Sequence, residues 1–320
     1  MISISEMNSY LAKGIIMTQT SWFNSKGYLQ GIFWMFVVCF ISNFNDIFTK
    51  HLGTLSGAEV AFFRFFFSTL VLLPFMAAKG KKAFVTRYPG AQCIRALLLI
   101  LALTPWCYGV AALPLTLATT LSFTVPFFVL PLAKLFLKEQ VGWQRWFATL
   151  VGFMGIMVAI HPTEGSFNPM VLALILSSVM FATLDIINKK LLTEDETLLS
   201  MLFYSALGTA VLGFIPALLT WQTPTLQELF FLFLLGTGGS AILFCLLKAY
   251  RATDVSALQP FKYLELVLSG LFGFIIFHEF PTSSTLLGAA IIIPATFYIT
   301  IFETRQQKKK VWKEEMGLAA

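Results

Sequence analysis

The sequence predicts an all-α membrane protein with ten transmembrane helices, arranged as two inverted five-helix repeats with both termini in the cytoplasm. Three observations lead to this fold class. The 320 residues are 57% hydrophobic and only 12% charged, which leaves too few charges to cover a soluble protein of this length. The basic residues are distributed unevenly between the apolar runs. Matched positions also recur in the two halves of the chain.

The spans are apolar runs of about 20 residues, the length of helix that crosses a hydrocarbon core about 30 Å thick. Ten such runs follow one another: 28–48, 58–77, 91–111, 115–136, 143–160, 169–188, 198–219, 228–249, 256–277 and 283–302. Short connections favour one bundle of antiparallel neighbours. The predicted organisation is a cytoplasmic segment 1–27, a first repeat 28–160, a second repeat 169–302 and a basic cytoplasmic tail 303–320.

The orientation follows from Lys and Arg, because short cytoplasmic connections carry an excess of basic residues. The side that holds both termini carries sixteen of them: Lys13, Lys26, Lys79, Lys81, Lys82, Arg87, Lys138, Arg145, Lys189, Lys190, Arg251, Arg305, Lys308, Lys309, Lys310 and Lys313. The opposite connections carry Lys50 alone. Both termini are therefore predicted to be cytoplasmic. The net charge of +6 reflects this topology, and no basic stripe in a folded domain indicates a nucleic-acid partner.

The two halves of the chain resemble each other at an offset near 140 residues. Three pairs of positions match: Asp46 with Asp185, Pro74 with Pro216, and Glu139 with Glu279. Each half holds five spans, an odd number, so the second copy is predicted to be inverted relative to the first. Inverted repeats are typical of secondary transporters, which work by alternating access. This symmetry is the feature that most directly predicts transport.

Arg64 is an ionisable residue within the second span, in the run FFRFFF at 62–67. A charge inside a span costs roughly 2.5–3.5 kcal/mol on insertion scales, so it usually faces a cavity or a partner. A planar guanidinium suits the capture of an anionic group such as a carboxylate. The alternative is a structural ion pair with Asp46 or Glu59, and the sequence leaves both interpretations open.

The ninth span contains Lys262, Tyr263 and Glu265. The i,i+3 spacing places Lys262 and Glu265 on one helix face, and Glu265 falls near the middle of the membrane. A carboxylate there can pair with a substrate cation or carry a proton. The alternative is that the two charges neutralise each other and only stabilise the bundle. We expect a cavity, because transporter sites lie near the midplane where the repeats meet.

Asp46 and Asp185 lie near the ends of the first and sixth spans, each four residues before a lysine. Repeat symmetry places the first pair near the outer face and the second near the inner face. We expect these aspartates to belong to outer and inner gates that close alternately. An interfacial ion pair with a snorkelling lysine remains an equally open interpretation.

Aromatic residues make up 15% of the chain, so most of them face lipid or pack in the core. Trp106, Tyr108, Phe123, Phe261 and Tyr263 stand out because they lie near prolines or near the charged pair of the ninth span. Their faces can stack on a flat base or hold an onium cation. Ordinary packing is the alternative for each.

No pattern indicates a metal, a cofactor or an enzyme. The four cysteines form no short motif, and the three histidines are scattered at span ends, so neither zinc spacing nor a disulfide framework is present. The sequence has no Walker loop, nucleophile elbow or dinucleotide fingerprint in a suitable context. A membrane-embedded enzyme or an assembly partner stays open as a minor alternative.

Ten spans, the repeat, Pro126 in the fourth span and Glu139 after it resemble the drug/metabolite transporter superfamily of EamA type. A closer similarity is to the S-adenosylmethionine uptake transporters of obligate intracellular bacteria. Five segments carry it: EVAFFRFFFS at 59–68, WQRW at 143–146, LDIINKK at 184–190, SMLFYSA at 200–206 and YLELV at 263–267.

This resemblance implies a multi-pass protein of the bacterial inner membrane that imports S-adenosylmethionine by antiport against S-adenosylhomocysteine. The ligand's carboxylate would suit Arg64, its ammonium Glu265, and its sulfonium and adenine the aromatic residues. An EamA-type exporter of amino acids or other small metabolites is the alternative. The oligomeric state does not follow from the sequence.

Overall fold

The computed structural model describes residues 27–315, apart from 51, 53–54, 113–120, 122, 161–168, 195 and 278–282. All regular elements in these described ranges are helices, which confirms the all-α prediction there. The described part of the chain forms eleven α-helices: α1 Tyr28–Lys50, α2 Gly57–Ala78, α3 Pro89–Ala112, α4 Val125–Phe136, α5 Trp143–Ile160, α6 Pro169–Thr193, α7 Leu198–Leu219, α8 Leu226–Ala252, α9 Val255–Leu258, α10 Leu264–Phe277 and α11 Ser283–Glu315.

Seven of these helices are long and apolar enough to cross a membrane by themselves: α1, α2, α3, α6, α7, α8 and α11. The described helix of the predicted fourth span, α4, has only 12 residues, and part of that span lies outside the described residues. The predicted ninth span is divided into three short elements. The structure therefore supports a multi-spanning membrane protein, and the number ten stays a prediction.

Side-chain caps define where α2 and α8 begin. Ser56 and Glu59 form a capping box at the start of α2, and Thr225 and Glu228 form one at the start of α8. Each box satisfies backbone N–H groups that have no partner within the helix. Glu59 also accepts a hydrogen bond of 2.5 Å from the N–H of Gln222. This bond ties the start of α2 to the connection between α7 and α8.

The ninth segment is broken where the sequence predicts a continuous span over 256–277. α9 ends at Leu258, a 3₁₀-helix follows at Gln259–Tyr263, and α10 begins at Leu264. Pro260, which has no N–H to donate, lies at the start of the 3₁₀-helix. The Glu139 carboxylate accepts hydrogen bonds from the N–H groups of Val255 at 2.9 Å and Ser256 at 3.0 Å. A carboxylate from the first half thus caps the broken segment of the second half.

The long helices pack mainly in four pairs: α1 with α8, α3 with α6, α2 with α7, and α5 with α11. When each helix is replaced by its counterpart in the other half, the α1–α8 pair becomes the α6–α3 pair. The α2–α7 and α5–α11 pairs each map onto themselves. At the α5–α11 contact, a Cβ on Gly155 would lie 2.7 Å from Ile292, and one on Gly288 would lie 2.5 Å from Ala159. The pairing brings helices from both halves around one central cavity.

Candidate functional site

The central cavity has a volume of about 410 Å³, a size typical of small-molecule sites. Its described lining comes from seven helices, α1–α4 and α6–α8, and from the broken ninth segment. Most of the wall is apolar, with a few charged and hydroxyl groups between the apolar side chains. This composition is the one expected of a site that binds an amphipathic ligand and orients it through a few polar contacts.

Five charged side chains line the cavity: Arg64 from α2, Arg95 from α3, Asp185 from α6, Lys262 from the 3₁₀-helix and Glu265 from α10. The sequence predicts four of these as site residues, all except Arg95. The structure brings those four together from positions up to about 200 residues apart in the chain. Their convergence is what makes this cavity the candidate site.

Lys262 and Asp185 form an ion pair across the cavity wall. The Lys262 Nζ lies 2.8 Å from Asp185 Oδ2, and both side chains are largely buried. Lys189, which the sequence pairs with Asp185, donates to the carbonyl oxygens of Tyr250 and, at 2.8 Å, Thr253. Asp185 therefore contributes to the cavity and joins α6 to the broken segment.

Arg64 lies against two glycines of α8, Gly236 and Gly239. A Cβ on Gly236 would lie 2.7 Å from the Arg64 carbonyl oxygen, so the two backbones approach closely there. A Cβ on Gly239 would lie 3.1 Å from Arg64 Nε. The Arg64 guanidinium thus occupies space that a larger residue at position 239 would fill, and it faces the cavity from this position.

Arg95 is fully buried and is held by hydrogen-bond acceptors from three helices. Its Nε donates to Asn188 Oδ1 at 2.7 Å, and its Nη1 donates to Gln92 and, at 3.1 Å, to the Met201 carbonyl oxygen. Its Nη2 has no hydrogen-bond acceptor among the described residues. Since Arg95 lines the cavity, the two N–H groups of this Nη2 remain as one donor site for a ligand.

Arg95 is not among the site residues predicted from the sequence, although it meets the criterion that selected Arg64, an ionisable residue within a predicted span. Arg95 is the fifth residue of the predicted span 91–111, close enough to the end of that span to be taken for an interfacial charge. Its full burial depends on the packing of α3 against α6 and α7, which a hydropathy pattern does not show.

The α1 helix is bonded to the backbone of α10 beside Glu265. Asn43 Nδ2 donates to the Cys39 carbonyl oxygen at 2.8 Å and to the Glu265 carbonyl oxygen at 3.3 Å. The start of α10 is therefore attached to α1, and the half-buried Glu265 side chain faces the cavity.

The predicted aromatic residues divide into two groups. Trp106 and Phe123 line the cavity. Phe261 and Tyr263 are buried outside its described lining: the Phe261 ring packs against Tyr28 at 6.3 Å between centroids, and Tyr263 packs against Phe123 at 6.0 Å. The Tyr263 ring also occupies the space above Gly152, where a Cβ would lie 2.3 Å from it. The side chains of Tyr108 and Asp46 lie outside the described residues.

A second charged cluster surrounds Arg145 at the start of α5. Arg145 Nε lies 2.6 Å from Glu303 Oε1 and its Nη2 lies 3.0 Å from Asp254 Oδ2, while its Nη1 donates to Ser256 Oγ at 2.6 Å. Glu139 lies 3.9 Å away and caps α9. We call these five residues the Arg145 network.

The Arg145 network joins the two halves of the chain, because Glu139 and Arg145 belong to the first and the other three residues to the second. In the sequence, Arg145 contributes to the predicted topology and to the family resemblance, and Glu139 contributes to the repeat and to the same resemblance, but neither is predicted as a site residue. No pattern in the sequence links either residue to its partners in the second half, since those partners lie more than 100 residues away. Within the described ranges, no group of three or more His, Cys, Asp or Glu residues can hold a metal ion.

The chain matches the model of the EamA-like transporter family twice, over residues 29–160 and 168–301. A protein named S-adenosylmethionine uptake transporter from Rickettsia bellii (strain RML369-C) is 48% identical, with 89% of this chain and 98% of that protein covered. A protein of the same name from Rickettsia prowazekii (strain Madrid E) is 49% identical, with coverage of 89% and 97%.

A solved structure matches the fold as well. It is 16% identical in sequence, has a TM-score of 0.75, and covers 88% of this chain and 99% of its own. At this identity the match concerns the arrangement of the helices alone.

Proposed function

The chain belongs to the EamA-like transporter family, and on this premise we propose that it imports S-adenosylmethionine in exchange for S-adenosylhomocysteine. The protein is a transporter rather than an enzyme, since its family and its named relatives are transporters. It is a multi-pass protein of the bacterial inner membrane. The identity of the substrate is inferred from the 48–49% sequence identity to two uptake transporters over 89% of the chain.

The cavity chemistry supports this substrate. S-adenosylmethionine carries a carboxylate, an ammonium, a sulfonium and a flat adenine. The carboxylate binds to Arg64, and the remaining donor of Arg95 adds a second contact for it. The ammonium binds to Glu265. The sulfonium and adenine lie against Trp106 and Phe123, because aromatic faces attract onium cations and stack on bases.

The aromatic residues beyond the lining act through their neighbours. Tyr263 contacts Phe123 and fixes the position of its ring. Phe261 packs against Tyr28 and anchors the 3₁₀-helix that carries Lys262. Tyr108 stays in the proposal as a third aromatic face, on the sequence argument alone.

The proposal includes a topology of ten spans in two inverted repeats, with both termini in the cytoplasm. Three observations support this topology: sixteen basic residues on one side of the predicted bundle, two family matches of similar length, and helix pairs that an exchange of the halves conserves. The 3₁₀-helix within the ninth segment also fits, because a 3₁₀ stretch inside a helix often marks a functional hinge.

Alternating access requires contacts between the halves that open and close. The Arg145 network is such a contact near the proposed cytoplasmic face, and we assign it to the inner gate. Asp185 couples the cavity to this gate, since its partner Lys262 lies on the segment whose first helix Glu139 caps. Asp46 remains the proposed outer gate, on the sequence argument alone. Charge reversal at Asp46 that leaves transport unchanged contradicts this outer gate.

The test of this function is uptake of radiolabelled S-adenosylmethionine by bacterial cells that express the chain. We expect saturable uptake, competition by S-adenosylhomocysteine, and faster uptake into vesicles preloaded with S-adenosylhomocysteine. Arg64→Ala and Glu265→Gln should each lower uptake efficiency by about 10- to 100-fold, the value of a hydrogen bond to a charged group.

The matched control is Lys134→Gln, which removes an exposed charge from α4 at equal expression. Absence of saturable uptake overturns the proposal and leaves the exporter of amino acids or other small metabolites as the alternative. Export is then recognised by lower accumulation of labelled amino acids in expressing cells. Uptake that both cavity variants retain contradicts the assignment of the site.

A further inference from the structure

A second cavity, of about 820 Å³, lies between α2, α7 and α8. Its lining reaches Lys79 just beyond the end of α2, Leu198 at the start of α7 and Arg251 in the last turn of α8. All three positions lie toward the face that is proposed to be cytoplasmic. We call this cavity the α2–α8 groove.

The groove exists because α2 and α8 touch at one level and leave space beyond it. At Gly236 the two backbones are in contact, since a Cβ there would lie 2.9 Å from the Ser68 nitrogen. One turn further along α8, the hydroxyls of Ser68 and Ser240 share a hydrogen bond. From this point to the cytoplasmic end the groove opens between residues 71–79 and 241–251.

The walls of the groove are apolar and face the outside of the bundle. Leu72 and Phe75 of α2 lie opposite Ala241 and Phe244 of α8, and Leu199 of α7 contributes as well. Phe75 is 60% exposed and Phe244 is 36% exposed. An apolar channel of this kind along a membrane helix suits an acyl chain.

The cytoplasmic end of the groove is basic. Lys79 and Arg251 are exposed, and the Lys248 ammonium lies 5.7 Å from the centroid of the Phe244 ring. Lys248 and Arg251 share a helix face through their i,i+3 spacing. Glu196 is the acidic residue of the described lining. Its carboxylate already accepts hydrogen bonds from the Ser200 hydroxyl and, at 3.3 Å, from the Arg87 N–H.

We propose that the α2–α8 groove binds an anionic phospholipid of the inner leaflet. The headgroup phosphate binds between Lys79, Lys248 and Arg251, and one acyl chain lies along Phe75 and Phe244. Basic pockets between transmembrane helices on the cytoplasmic side recognise anionic headgroups in this way. Each basic side chain near such a headgroup raises the binding constant about fivefold. The three basic side chains together therefore strongly favour an anionic lipid over a zwitterionic one.

The lipid also contacts residues of the substrate cavity. Leu202 and Ser240 line both the groove and the central cavity, and Ser240 bonds to Ser68 of α2. A chain in the groove therefore packs against the outer side of the wall that carries Arg64.

The test is native mass spectrometry of the purified full-length chain in detergent with phosphatidylglycerol and phosphatidylcholine in equal amounts. We expect the chain to retain phosphatidylglycerol in at least tenfold preference. The variant Lys79→Gln/Lys248→Gln/Arg251→Gln should lose this preference. The matched control Lys134→Gln/Lys138→Gln/Arg305→Gln removes the same charge from exposed positions outside the groove and should keep it.

Two further measurements distinguish a bound phospholipid from a bound free phosphate. Ala241→Phe leaves every charge in place and fills the apolar part of the groove, so it should also lose the lipid, while added glycerol phosphate should not displace it. Equal retention by both triple variants, retention by Ala241→Phe, or displacement by glycerol phosphate overturns the proposal. If the triple variant of the groove cannot be purified, the Ala241→Phe variant and the competition with glycerol phosphate still decide the outcome.

Discussion

Two buried arginines, Arg95 in the cavity and Arg145 near the membrane end, show how similar side chains serve different purposes. Arg145 contacts three carboxylates and a hydroxyl at described positions. Arg95 is bonded to two side-chain amides and a carbonyl oxygen, and its Nη2 has no acceptor among the described residues. A saturated guanidinium stabilises a contact between the halves, whereas one that keeps a donor next to a cavity is available to a ligand.

The largest effect on stability is expected from Arg145→Ala. The change leaves Glu303 and Glu139 largely buried without their cation, and breaking a buried pair in this way costs about 3–5 kcal/mol. We expect a lower midpoint of thermal unfolding in detergent, measured by loss of the monodisperse peak after heating.

The control for this prediction is Lys138→Gln, an exposed change in the neighbouring connection, which should shift the midpoint little. A midpoint for Arg145→Ala within error of this control contradicts the role of the network in joining the halves.

A smaller effect is expected from Asp185→Asn in the cavity. The substitution leaves Lys262 without its carboxylate partner, and an unsatisfied buried group costs about 2 kcal/mol. The double variant Asp185→Asn/Lys262→Met removes both charges and should recover most of the lost stability, while uptake stays low.

A double-mutant cycle on the unfolding midpoint measures this coupling. Additive losses from the two single changes contradict the pair. Recovery of uptake as well as stability in the double variant indicates that the pair is structural only.

The smallest effect is expected from Gly239→Ala. Its Cβ would lie 3.1 Å from Arg64 Nε, so the guanidinium has to move off its preferred rotamer at a cost of about 0.5–1.5 kcal/mol. We expect a rise of roughly threefold to tenfold in the KM of uptake, with the maximal rate and the unfolding midpoint almost unchanged. Gly90→Ala is the matched control, because its Cβ would meet no neighbouring atom of the described residues within 4 Å.

The sequence predicted the helical fold and much of the cavity from one physical fact, the cost of charge in a membrane. Arg64, Lys262 and Glu265 were selected on that basis, and all three line the cavity. The family resemblance was confirmed by the family model and by relatives at 48–49% identity. The number of spans and the roles of the site residues stay predictions.

The remaining features depend on contacts that local patterns do not contain. The i,i+4 spacing paired Asp185 with Lys189, but the structure shows Asp185 bonded to Lys262, 77 residues away. Hydropathy predicted a continuous ninth span, whereas a 3₁₀-helix with Pro260 at its start interrupts it, and the Glu139 carboxylate caps its first turn. The direction of Phe261 and Tyr263 follows from the 3₁₀-helix that carries them, and helical periodicity cannot give it.

The central claim is that the cavity binds S-adenosylmethionine through Arg64 and Glu265, while the Arg145 network joins the halves at the inner gate without contacting the substrate. Equilibrium binding of radiolabelled S-adenosylmethionine to the purified protein tests it most directly, with Glu265→Gln compared with Glu303→Gln. The account predicts at least a tenfold weaker affinity for Glu265→Gln and an affinity within about threefold of the wild type for Glu303→Gln. Unchanged affinity in Glu265→Gln, with the loss in Glu303→Gln instead, would contradict it.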